Sequence, residues 1–204
     1  MMLRLIAAGM VMGISILMIQ IFSRADKELP KIRVPFLFIC MAVSGFVVLA
    51  DKKTLVYVVP LLILSLISAY TDYHMKQLYD IVSVVALVLG IFMMCTRNLS
   101  LIGGFLAVLL FLFSLFVVKC IGFGDVLLLA AAYPYTACII NKKWSIIGDT
   151  GNDIILFVFV LQIFVALLFS VVANIRHLKH DVKYRTCFGP YYLAALLVFI
   201  SVGA

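Results

Sequence analysis

Residues 154–173 read IILFVFVLQIFVALLFSVVA, twenty positions whose only polar side chains are Gln162 and Ser170. That length matches the roughly 20 apolar residues a helix needs to cross the hydrocarbon layer of a bilayer. The run shows no alternation of period two, so it does not read as a barrel strand. Lipid offers backbone N–H and C=O groups no partners, and a continuous apolar segment of this kind must satisfy them within a helix. Working outward, similar runs cover roughly residues 3–22, 34–50, 54–71, 79–96, 99–118, 125–140 and 189–203, which with 153–174 makes eight expected membrane helices. The sixth is short and contains Pro134, so a bend or an incomplete span is expected there.

Composition agrees. Of 204 residues, 66% are hydrophobic and 12% charged, and the mean hydropathy is +1.26, a balance foreign to soluble globular domains. The expected fold is an all-α, polytopic integral membrane bundle forming one domain over residues 1–204, with no internal repeat and no linker long enough to divide it. The first run lacks a small-residue cleavage site, so it reads as a retained helix rather than a signal peptide.

The net charge of +7 comes from sixteen Lys and Arg scattered between apolar runs. No basic stripe of the kind that binds nucleic acid is present, and the partner implied is the lipid bilayer. With eight spans, Arg24, Lys27, Lys31, Arg33, Lys76, Lys119, Arg176, Lys179, Lys183 and Arg185 fall on one side. Arg4, Lys52, Lys53, Arg97, Lys142 and Lys143 fall on the other. The richer side is expected to be cytoplasmic, and it contains both Asp72 and Asp125.

Cys40, Cys95, Cys120, Cys138 and Cys187 form no CxxC pair, so neither a disulfide framework nor a thiolate zinc site is indicated. His177 and His180 have spacing compatible with a metal but stand without nearby carboxylates or thiols, and they read as polar residues of a loop before the last helix. Neither a metal nor a cofactor is expected. Gly90, Gly103 and Gly104 lie inside apolar runs, where small residues let helices approach.

Of nine acidic residues, Asp26, Glu28, Asp51, Asp149, Asp153 and Asp181 occupy loop positions, leaving Asp72, Asp80 and Asp125 at the edges of apolar runs. Ionisable groups there are costly, which makes them functional candidates. Asp125 closes Gly122-Phe123-Gly124-Asp125, a turn in which glycines permit positive φ and close approach and so place a carboxylate at a helix start without a side-chain clash; simple N-capping is the structural alternative. Asp72 opens a polar stretch that ends at Asp80, with His74 two residues on as a candidate tuner of its proton affinity. Two neighbouring carboxylates do not ionise together easily, so one can hold a proton while the other activates water.

Three segments in order resemble the type IV prepilin leader peptidases, membrane aspartic peptidases that include the preflagellin peptidases. Asp72, five residues, Leu78, Tyr79 and Asp80 follow the family's Asp, five residues, Ile or Leu, Pro, Asp or Asn. Gly122-Phe123-Gly124-Asp125-Val126-Leu127-Leu128 follows its Gly-x-Gly-Asp-Val-Lys-Leu. Phe188-Gly189-Pro190-Tyr191 stands where the family opens its last helix. The likeness runs from about residue 54 to the end, with Tyr79 in place of Pro and Leu127 in place of Lys.

The resemblance implies an aspartic endopeptidase with Asp72 and Asp125 catalytic and Gly122 and Gly124 shaping the turn. Its substrate would be a prepilin or pseudopilin-like protein, cut at the cytoplasmic face after a Gly that precedes a hydrophobic helix. Asp80 falls at a helix-capping position of the motif and is the lesser catalytic candidate. A presenilin-like alternative, reading Tyr79-Asp80 as its motif, lacks the Pro-Ala-Leu segment such chains carry. The loop 23–33 is too short for the cysteine-rich cytoplasmic domain of many bacterial relatives, which implies a peptidase without zinc and without methyltransferase activity. A non-catalytic assembly factor for pilin-like helices and a proton-coupled transporter are the readings from other classes.

Overall fold

The computed structural model describes residues 1–26, 29–75, 80–97, 101–119, 121–144, 150–180 and 187–203, with the backbone alone at 49, 97, 143–144, 150–152, 175–180 and 202–203. Among these residues the chain is all helix: α1 (Met2–Ala25), α2 (Val34–Leu49), α3 (Leu55–Met75), α4 (Asp80–Arg97), α5 (Leu101–Val117), α6 (Phe123–Trp144), α7 (Thr150–His180) and α8 (Gly189–Gly203). Four helices are long and apolar enough to cross a membrane: α1, α3, α6 over Phe123–Lys142 and α7 over Asp153–Asn174. The other four have 15 to 18 residues, about 22–27 Å at 1.5 Å per residue, and so fall somewhat short of a full hydrocarbon layer.

Burial separates inner helices from outer ones. The apolar windows of α3 and α6 are 78% and 72% buried, against 22% for α1 and 33% for α7. The inner pair packs together; α3 also meets α1 and α8, while α6 meets α4, α5 and α7. Outward faces carry large apolar side chains such as Phe92, Leu110, Phe157 and Phe164, as expected where the surrounding solvent is lipid. Two buried hydroxyls of α3 turn back on their own helix. Ser65 donates to the Leu61 carbonyl at 2.8 Å, and Thr71 to those of Ile67 and Ser68 at 3.1 and 3.2 Å.

The sixth helix is longer than expected and its span is complete. It runs unbroken for 22 residues from Phe123 and continues through Pro134. Its partner α4 makes room, because Gly90 lies against that turn: a Cβ there would sit 3.0 Å from Pro134 Cβ and 3.1 Å from the Tyr135 ring. The Tyr135 hydroxyl donates to the Ala86 carbonyl at 2.7 Å and ties the two helices at the same level. Gly104 is needed in the same way, facing the Tyr133 hydroxyl, whereas Gly103 has nothing within 4 Å. Gly90→Val is therefore expected to cost about 1–3 kcal/mol by overpacking, read as a lower melting midpoint in detergent, with Gly103→Ala close to wild type. Tyr135→Phe is expected to cost about 0.6 kcal/mol, the usual worth of an interhelical hydrogen bond in a membrane.

Two other boundaries move. Helix α3 continues past residue 71 to Met75, so Asp72 lies inside its last turn. Helix α7 continues to His180, so the backbone at His177 and His180 is helical and not the loop expected from their polarity. Cys40 and Cys138 are buried like small apolar side chains, whereas Cys95 is exposed on α4. Lys76, Leu78, Tyr79, Cys120 and residues 181–186 lie outside the described residues.

Candidate functional site

Asp72 is one turn from the end of α3 and only 6% exposed. Its Oδ2 accepts a hydrogen bond from the Gly189 N–H at 2.7 Å, and the Phe188 N–H also serves the carboxylate. These amides belong to the start of α8, where backbone N–H groups have no partner within the helix. A carboxylate from another helix thus caps α8, 117 residues away in the chain.

The contact depends on Gly189 having no side chain. A Cβ there would lie 2.8 Å from the Ser68 carbonyl oxygen, 3.0 Å from its carbon and 3.2 Å from Ala69 Cα, all backbone atoms of α3. The next residues hold the same turn from the other side. The Asn174 amide nitrogen donates to the Tyr191 hydroxyl at 2.9 Å and to the Ser170 carbonyl at 2.8 Å, linking α7 to α8. Phe188 stacks on Tyr192 with centroids 5.9 Å apart.

Asp125 occupies the first turn of α6, with Gly122 just outside the helix. Its Oδ2 accepts from the Gly122 N–H at 3.2 Å. Asp125 is therefore the third helical residue reaching back to the residue before the helix, the acidic half of a capping box, and not the N-cap residue itself. The glycines meet the expectation in part. Gly122 has no left-handed φ, and Gly124 lies within the helix. A Cβ at Gly122 would meet only Asp125 Oδ2, at 3.3 Å. What the glycine leaves open is the space beside the carboxylate. The left-handed residue in this region is Lys119, at φ 61°, where α5 ends.

Helices α3 and α6 pack against each other, and the Asp72 carboxylate lies near enough for its charge to act on Asp125. No hydrogen bond joins the two. Asp80 is exposed at the start of α4, where an acidic side chain suits the positive end of the helix. His74 does not address Asp72. Two residues on, it points away around the helix, and its ring packs 4.6 Å from that of Tyr70 and 5.1 Å from that of Tyr73. Among the described residues, no three His, Cys, Asp or Glu side chains gather where a metal could sit.

Gly189, Asn174 and Tyr191 are the site residues not singled out individually from sequence. Phe188-Gly189-Pro190-Tyr191 drew notice as a motif, and a glycine at the first turn of an apolar helix was the available signal. No family model, curated protein or solved structure matches the chain.

Proposed function

We propose that the chain is a membrane aspartic endopeptidase that removes short basic leaders from prepilin-like proteins at the cytoplasmic face, with Asp72 and Asp125 as its working pair. The observation that carries the reading is that two rare carboxylates, from facing helices, stand within electrostatic reach at one end of the bundle. Each is oriented by backbone N–H groups. The pair would share one proton. One carboxylate takes a proton from water as its oxygen attacks the scissile carbonyl carbon, while the other protonates the carbonyl oxygen. Collapse of the tetrahedral intermediate breaks the C–N bond, and the departing amine takes a proton from the pair. The substrate class comes from the resemblance in the motifs around both aspartates.

The test is co-expression with a leader-bearing prepilin, followed by intact-mass measurement. The expected product begins at the residue after the glycine. Uncleaved substrate beside well-expressed wild-type chain would sink the peptidase reading. The assembly-factor reading has an observation in its favour, since both carboxylates also cap helices. It expects the substrate to co-purify uncut. Transport suits acids midway along their helices, and here both stand near helix ends.

A further inference from the structure

A cavity of about 560 Å³ opens between α2, α3 and α8, lined by neither Asp72 nor Asp125. Its body is apolar, formed by Phe36, Ile39, Ala69 and Leu193, and among the described residues no acidic side chain lines it. At one end stands Arg33, the residue before the first turn of α2, exposed and with no hydrogen bond or ion pair to its guanidinium among the described residues. Tyr73 and His74 line the cavity as well. The Tyr70 hydroxyl is already engaged, donating to the Pro30 carbonyl at 2.7 Å.

This shape selects among occupants. A free phosphate or a headgroup alone would use Arg33 and leave the apolar walls empty. An extended peptide would bring backbone N–H and C=O groups against helices whose own are satisfied internally, and those groups would go unpaired at membrane depth. An anionic amphiphile uses both halves. Arg33 also marks where the chain leaves the apolar span of α2, the level at which phospholipid headgroups lie, and basic pockets between membrane helices are suited to them. The volume falls within the range of small-ligand sites, about 300–1,000 Å³.

We infer that this cavity binds one anionic phospholipid, its phosphate at Arg33 and an acyl chain along Phe36, Ile39, Ala69 and Leu193. Because Ala69 adjoins the Gly189 contact and Leu193 belongs to α8, the lipid braces the α3–α8 junction. The inference does not depend on the peptidase reading.

The experiment uses the purified full chain in a non-ionic detergent, titrated with phosphatidylglycerol or phosphatidylcholine, with bound lipid counted by native mass spectrometry. One phosphatidylglycerol is expected to remain bound under conditions that strip phosphatidylcholine, and glycerol phosphate is expected not to displace it. Arg33→Gln should weaken retention about fivefold, the usual worth of one basic residue near a membrane surface. Ile39→Trp, which fills the cavity from an exposed position, should abolish retention, and Lys31→Gln should leave it unchanged. Equal retention of the two lipids, displacement by glycerol phosphate, or retention unaffected in either the Arg33 or the Ile39 variant would overturn the inference.

Discussion

On the peptidase reading, Asp125→Asn is expected to lower the rate of leader cleavage by about 10²- to 10⁴-fold, the range expected for loss of a general acid or base, while the melting midpoint changes little. Asparagine is the informative choice because both aspartates also act as capping groups. Asn caps helix ends about as well as Asp, and its side-chain oxygen still accepts from the Gly122 N–H that Asp125 Oδ2 now holds at 3.2 Å. What it lacks is a proton to exchange. It also loses the negative charge at the start of α6, worth no more than about 1 kcal/mol. Asp72→Asn follows the same logic, keeping an acceptor for Gly189. The double variant is expected to be no slower than either single one, because residues acting as a unit are not additive. Intact-mass time courses with matched melts in detergent check all three. Cleavage retained in either Asn variant would reduce that carboxylate to a helix cap and end the two-aspartate mechanism.

The parts of this site that were legible in sequence are those set by the cost of charge in lipid. Asp72 and Asp125 stood out because few acidic residues border long apolar runs, and the helices were legible for the same reason. Helix ends were less so, since polarity marks where lipid stops and not where backbone hydrogen bonding stops. Thus α3 carries Asp72 within its last turn, and α7 continues to His180. The sixth run looked short because polar residues flank it, whereas the helix extends from Phe123 through Pro134 to Trp144, with Gly90 on α4 beside the proline. For His74, closeness in sequence is not closeness on a helix surface. For Gly122, room beside the carboxylate agrees with the sequence reading, and a positive φ does not occur. Gly189 was visible as part of a motif, but its role appears only once α8 lands on α3.

Gly189→Ala is the substitution expected to disturb the fold and the site together. The added methyl carbon would sit 2.8 Å from the Ser68 carbonyl oxygen and 3.0 Å from its carbon. These atoms cannot swing aside as a side-chain tip would, because they belong to a buried turn of α3 and the same carbonyl accepts from Thr71. The start of α8 must therefore move, and its amide moves off Asp72, where it now donates at 2.7 Å. Overpacking costs about 1–3 kcal/mol, and losing a hydrogen bond to a charged group costs about 1.5–3 kcal/mol more. A loss of several kcal/mol exceeds that of any other single substitution considered. Cleavage should fall with it, since Asp72 loses the donor that orients it. A double-mutant cycle isolates the contact: in an Asp72→Ala background the hydrogen-bond part is already gone, so Gly189→Ala should cost measurably less there. Equal costs in the two backgrounds would mean that Gly189 matters only for packing, and a Gly189→Ala melt like wild type would remove the α3–α8 contact from the account of how Asp72 is held.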